Sequence, residues 1–290
     1  MKILKCYYEE CSYDSYFFNR QEGYRYLIEI DEKNHIETSV YLHYKNNIQQ
    51  AIVVDISCMV GCPEKCFFCS SSKLEHKRNL TAIEILEETL LVLNQHQYSS
   101  FSNVVFSFQG IGEPSLIPKE ITTAIILLRN YIPNSKITIS TTGSNVKAFN
   151  TWKDSLLKDI KLQISITDYS IKDFKAIEHI VKHFEKHNML ESFAEIKFNY
   201  VLVNQANDTD SHLQNLISIF RHKPYIIRLS KLNHCIDNQY ISSSVDVFNH
   251  FSEELSKNNI TNYIFGSQIK SSIGCGQLIY LNNNQDGQVL

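Results

Sequence analysis

The sequence contains no apolar run long enough to cross a bilayer. Its start, "MKILKCYYEECSYDSYFF", lacks the apolar stretch and small-residue cleavage site of a signal peptide. These absences point to the cytoplasm, to no membrane partner, and to a compartment where thiols stay reduced. A basic excess is missing as well. Net charge is −3, and the only local cluster, "KLEHKR" from Lys73 to Arg78, reads as a solvated turn, so charge lends nucleic-acid binding no support. Internal repeats and low-complexity linkers are absent. With 43% hydrophobic residues in 290, the chain buries a sizeable core as one large domain or two small ones. Eight cysteines in a reducing compartment suggest metal or catalysis rather than disulfide staples.

What is present is alternation. "AIVVDIS", "NVVFSFQ", "KITIST", "KLQISIT", "AEIKFNYVLV", "YIIRLSKL" and "NYIFGS" are β-branched strand candidates. Helical patterns separate them, including "NLTAIEILEETLLVL", "PKEITTAIILLRNYI" and a helix predicted from Asp208 to Phe220. Thr81 and Glu84 have the spacing of a capping box, and Pro118 suits a first helical turn. Some six β-α units imply an α/β fold with a parallel sheet, open or curled into part of a barrel, whose site lies at the C-terminal strand ends. Residues 1–50 form an extension in which "YRYLIEIDE" and "HIETSVYLHY" pair as a small hairpin; 51–290 form the core.

Four cysteines fall just after the first core strand, in "CMVGCPEKCFFCSSS". Cys62, Cys66 and Cys69 form C-x3-C-x2-C. Three thiolates from one loop hold three irons of a cubane cluster and leave the fourth iron open, as a catalytic centre needs. A structural zinc site needs a fourth ligand. No second C-x2-C pair supplies one, although His234 or Cys235 would complete it.

The cysteine spacing resembles the signature of the radical S-adenosylmethionine (SAM) enzymes. Together with "RNLTAIEI", "GIGEPS", "ITISTTGS", "LQISIT", "NYVLVNQANDTD", "LSKLN" and "IGCGQL" in order, it resembles the radical SAM ribosomal-RNA adenine methylases of the RlmN/Cfr type, from about Tyr24 to Leu278. That resemblance implies a partial (β/α)6 barrel, a [4Fe-4S] cluster held by Cys62, Cys66 and Cys69, and SAM as cofactor. Phe68 would lie near the adenine of SAM, and the turn of Gly112 and Glu113 would receive its amino group. Ser140, Ser165, Thr167 and Asn233 would hold its ribose, carboxylate and sulfonium end, although the family commonly has histidine at Thr167. Cys275 would carry the methyl group that a SAM-derived radical activates for addition to an unreactive sp² carbon. Glu37 aligns with a proposed proton acceptor, whereas a lone glutamate on an exposed hairpin is more often just solvated. A reductase or flavodoxin-like protein would donate electrons.

Two departures stand out. The family's second cysteine, which breaks a protein–substrate crosslink, falls here on Asp55, and a carboxylate cannot attack sulfur to form a disulfide. Cys58 or Cys235 is the candidate replacement. The lead before the hairpin is also too short for the accessory RNA-holding domain, so a short form is expected, its substrate an RNA adenine or something smaller. The alternatives are a radical SAM enzyme that modifies a peptide or small molecule without methylation, and a cluster- or zinc-stabilised binding module.

Overall fold

The computed structural model describes residues 1–12, 18–97, 103–155, 159–166, 174–233, 240–265 and 277–279. Ten strands form one sheet. β1 (Lys2–Ser12), β2 (Arg20–Asp31), β3 (Asn34–Lys45) and β4 (Ile48–Asp55) run antiparallel. The β3–β4 turn has only Asn46 and Asn47 at its tip, both at positive φ (51° and 63°), the hairpin geometry that asparagine tolerates. The extension is therefore larger than the predicted hairpin. β1 adds a strand because "KILKCYYEECS" pairs along β2, with one register shift between Ile3 and Lys5, a partnership no local pattern in β1 announces.

β4 then begins the parallel series. β7 (Asn103–Phe108), β8 (Lys136–Thr141), β9 (Ile160–Ile166), β10 (Glu195–Leu202), β11 (Ile226–Lys231) and β12 (Asn262–Phe265) follow it in sheet order, as the alternation predicts. Helices connect them: α1 (Ala82–Leu93), α2 (Pro118–Tyr131), α3 (Lys147–Asp154), α4 (Phe174–Lys186), α5 (Asp210–Phe220) and α6 (Val245–Lys257). None of the described helices is long and apolar enough to cross a membrane. The remaining two strands, β5 (Met59–Val60) and β6 (Arg78–Asn79), pair only with each other.

Local chemistry sets the helix starts. Thr81 accepts from the Glu84 N–H while the Glu84 carboxylate accepts from the Thr81 N–H, completing the predicted box. Pro118 occupies the first turn of α2, where its missing donor costs nothing. α2 buries Ile121, Ala124, Ile125 and Leu128, one helical stripe, with roughly 1.5–3 kcal/mol for each large aliphatic side chain. On the strands one face is greasy: Ile137 and Ile139, Ile160, Leu162 and Ile164, Ile227 and Leu229 are fully buried against the helices. The residues between them are polar and face the other side of the sheet. Because the core strands are parallel, their C-terminal ends share one edge.

Candidate active site

The cysteine loop leaves that edge directly after β4. The β5–β6 ladder pinches its base, with Lys77 N–H donating to the Val60 carbonyl and Leu80 N–H to that of Cys58. Gly61 makes the pinch possible. Its φ is +73°, and a Cβ there would lie 1.9 Å from the Glu75 carbonyl oxygen. Within the loop, the Cys69 N–H donates to the Cys66 carbonyl at 3.1 Å, and the Ser72 hydroxyl to the Cys69 carbonyl at 2.7 Å. Burial pushes the Cys62 thiol up to about 11, and the charges of Cys69 and Glu113 add to the rise. Burial likewise raises Cys66, with Cys69 and then Cys62 contributing. The three sulfurs therefore sit close enough to feel one another. Among the described residues no three histidine, cysteine or acidic side chains converge tightly enough for a single ion. Three thiols on one loop are the donor set that a cubane cluster takes when one iron is left open.

The "GIGEP" turn, at the end of β7, docks on this loop's root. Cys58 and Met59 N–H groups both donate to the Ile111 carbonyl, at 2.8 and 3.2 Å, and Gly110 N–H donates to that of Ile56 at 2.9 Å. At Gly112 φ is +114°, and a Cβ would lie 2.7 Å from the Cys58 sulfur and 2.8 Å from Met59 Cγ. Glu113 is 3% exposed. Its carboxylate accepts from the Ser115 N–H (2.9 Å), the Thr142 N–H (2.9 Å), the Thr142 hydroxyl (3.1 Å) and the Thr141 hydroxyl. Burial raises its pKa against the pull of these donors. Glu113 thus ties the ends of β7 and β8 together beside the cysteines.

No family model matches the chain. It is 30% identical over 278 residues to a probable dual-specificity RNA methyltransferase RlmN of Dictyoglomus turgidum, covering 89% of this chain and 77% of that protein. To the dual-specificity RNA methyltransferase RlmN of Buchnera aphidicola subsp. Cinara cedri it is 32% identical over 250 residues, covering 77% of this chain and 68% of the other. The chain belongs to the RlmN family of radical SAM methyltransferases. Its fold agrees with the crystal structure of a radical SAM methyltransferase from Sphaerobacter thermophilus at a TM-score of 0.67 and 22% identity, over 93% of this chain and 79% of that one. Membership in this family implies a [4Fe-4S] cluster and SAM.

The other predicted residues of this RlmN-family chain are distributed as follows. Ser140, at the end of β8, is half-buried and donates to Gln109 Oε1 at 3.2 Å. Ser165 is half-buried near the end of β9, opposite Asn199. Asn233 is exposed just beyond β11. Phe68 is half-buried, its ring 5.1 Å edge-on from Phe67, which in turn meets Tyr240 at 5.0 Å. Thr167, His234, Cys235 and Cys275 lie outside the described residues. Cys58 is 2% exposed, packed in the core beneath Gly112.

Glu37 is no solvated hairpin residue. It is 3% exposed on β3, accepts from the Ile279 N–H at 2.9 Å, and lies 3.8 Å from Arg25 of β2. Pairing with Leu27 of β2, the Ser57 hydroxyl that donates to its carbonyl, and the segment around Leu278 cover it, which a hairpin read in isolation does not foresee. Sequence reasoning also missed Glu88. This residue of α1 is fully buried, with Oε2 accepting from the Thr38 hydroxyl at 2.8 Å and Oε1 unpartnered. Burial raises its pKa well above the usual carboxylate range. Its i, i+4 neighbours are ordinary helix residues, so nothing local signals it. Arg25 and Arg228, both turned to the polar face of the sheet, were missed for the same reason.

Proposed function

We propose that this chain methylates an unreactive sp² carbon, its substrate an RNA adenine, in line with the RNA methyltransferase name that its relatives bear. One observation carries the reading: the Gly110–Glu113 turn locks onto the root of the loop that bears Cys62, Cys66 and Cys69. In this reading Cys62, Cys66 and Cys69 hold the cluster. The turn of Gly112 and Glu113 presents backbone to the methionine end of SAM, with the Glu113 side chain holding the turn's shape rather than reaching out. Ser140, Ser165, Thr167 and Asn233 position the rest of SAM, and Phe68 flanks its adenine. When bound, the cluster and SAM supply one-electron cleavage of a sulfonium and hence a hydrogen-abstracting radical. Cys275 carries the methyl group, and Glu37, held by Ile279, anchors the segment that follows it. The burial of Cys58 beneath Gly112 leaves Cys235 as the candidate resolving thiol.

The parallel run from β4 through β7, β8, β9, β10 and β11 to β12 supports the partial (β/α)6 barrel, with 1–50 as extension and 51–290 as core. A reductase or flavodoxin-like protein supplies the electrons.

The test is anaerobic reconstitution with iron and sulfide, then addition of SAM and a reductant. Brown protein, 5′-deoxyadenosine, one extra methyl on the peptide holding Cys275, and transfer of that methyl to RNA are expected. Full methyl transfer by Cys275→Ala would remove that residue from the role.

A further inference from the structure

Ser57 lies just beyond β4, between that strand and the cysteine loop, and is fully buried. Its hydroxyl donates to the main-chain carbonyl of Glu37 at 2.6 Å and accepts the N–H of Ile111 at 3.0 Å. A single oxygen thus joins β3 to the turn that ends β7, through the root of the cysteine loop. The two bonds run in series, and each polarises the other. The Ile111 carbonyl is engaged at the same root by the N–H groups of Cys58 and Met59. Gly110 lets the turn lie flat there: a Cβ on it would be 2.7 Å from the Ile56 carbonyl and from the Ser57 nitrogen.

Both partners of this hydroxyl lead onward to one place. The Glu37 carboxylate accepts the Ile279 N–H at 2.9 Å. Ile111, fully buried, belongs to one apolar cluster with Leu278 and Ile279, beside Leu27 and Leu74. A polar path and an apolar path therefore connect the turn to Gln277–Ile279. Ser57 stands on the polar path, where one atom ties the turn to β3. Exchanging its hydroxyl for a hydrogen would strip an amide and a carbonyl of a partner in a dry interior.

We propose that Ser57 is a positioning residue that couples SAM binding at the Gly112–Glu113 turn to the hold on Gln277–Ile279, the segment that follows Cys275 in sequence. The proposal rests on the reading above that this turn receives the methionine end of SAM. A ligand on the turn fixes Ile111 between its two glycines. That steadies the Ile111–Ser57–Glu37 chain and slows the opening of Ile279 from Glu37. The coupling is reciprocal: SAM tightens the segment by as much as the held segment tightens SAM. The anchor next to the carrier cysteine is then firmest once SAM is in place.

The test is hydrogen exchange by mass spectrometry on the reconstituted enzyme, with and without SAM. It is read at peptides holding Ile111, Gln277–Ile279 and, as an internal reference, Ile164 of β9. In wild type SAM should slow Gln277–Ile279 by about tenfold and leave Ile164 unchanged. Ser57→Ala should abolish that slowing and raise the Kd for SAM about tenfold. Ser57→Thr, which keeps the hydroxyl, should restore both. Glu37→Ala cuts the path at its other end and leaves the main-chain carbonyl for Ser57, so it should weaken SAM by a similar factor. The double variant Ser57→Ala/Glu37→Ala should bind SAM no worse than the weaker single variant. Losses that multiply in the double variant, or a wild type that binds SAM with no change at Gln277–Ile279, would overturn the coupling. A wild type that neither binds nor cleaves SAM means that the SAM reading has failed, and the ligand-free proteins then decide the link. There Ser57→Ala should speed exchange at Gln277–Ile279, whose bond to Glu37 the substitution leaves in place, about tenfold relative to Ile164. An unchanged rate, or a rise shared equally by Ile164, rejects it.

Discussion

The carboxylate of Glu37 on β3 accepts the backbone N–H of Ile279 at 2.9 Å, joining residues 242 apart in sequence. With Leu27, Leu74, Ile111, Leu278 and Ile279 packed as one apolar cluster, this contact fastens the C-terminal segment over the root of the cysteine loop. Glu37→Ala removes the acceptor, so amide exchange at Gln277–Ile279 should accelerate and methyl transfer should fall at least tenfold. Glu37→Gln keeps an acceptor and should retain slow exchange. If the glutamine variant is slow in exchange yet inactive, Glu37 acts on protons; if it is active, the residue is an anchor. Exchange mass spectrometry and initial rates separate the two.

Two glycines at positive φ make a graded prediction. Gly61→Ala drives a Cβ into the Glu75 carbonyl, which is backbone and cannot yield. Gly112→Ala meets first the Cys58 sulfur, a side-chain atom. Both should destabilise, by roughly 1–3 kcal/mol from backbone strain alone, and Gly61→Ala more. Cys58→Ala should partly rescue Gly112→Ala and leave Gly61→Ala unaffected. Thermal unfolding of the four proteins and their iron content check the order; equal losses without rescue would contradict the geometry.

Glu113 takes four donors, two on each oxygen. Glutamine offers one acceptor and would aim an amide nitrogen at the remaining donors. Glu113→Gln should therefore cost about 2–4 kcal/mol. The expected readout is a lower Tm together with weaker SAM binding, and an unaltered Tm would show that the carboxylate is not the tie.

Glu88 predicts a pH-dependent effect. Burial raises its folded pKa well above that of the unfolded chain, so the native state favours the protonated acid. The cost of ionising it is absent at pH below the ordinary carboxylate range and grows as pH rises through and beyond it. Glu88→Gln keeps an acceptor for Thr38 and never ionises. It should match wild type near pH 4 and be the more stable protein at pH 8. Urea unfolding at the two pH values is the measurement; a variant less stable at pH 8 would sink the idea.

Much of this was legible in the linear chain. The strand and helix series follows from periodicity, α1 from its Thr81–Glu84 box, and the three-cysteine loop from its C-x3-C-x2-C spacing, because each depends on residues only a few positions apart. The local signals do not extend to the partners of buried charges. β1 contributes a strand only because β2 offers it a full edge, and Glu88 is polar in a helix whose burial tertiary packing imposes.

The sequence by itself determined the order of β-α units and the three-cysteine loop, since propensity, capping and ligand spacing act over single turns. Tertiary structure alone decided that Glu37 is buried under Ile279, that Glu113 is spent on Thr141, Thr142 and Ser115, and that Arg228 lies over the Phe265 ring. Those relationships arise from strand order and sheet curvature, which bring together side chains that no stretch of sequence places side by side.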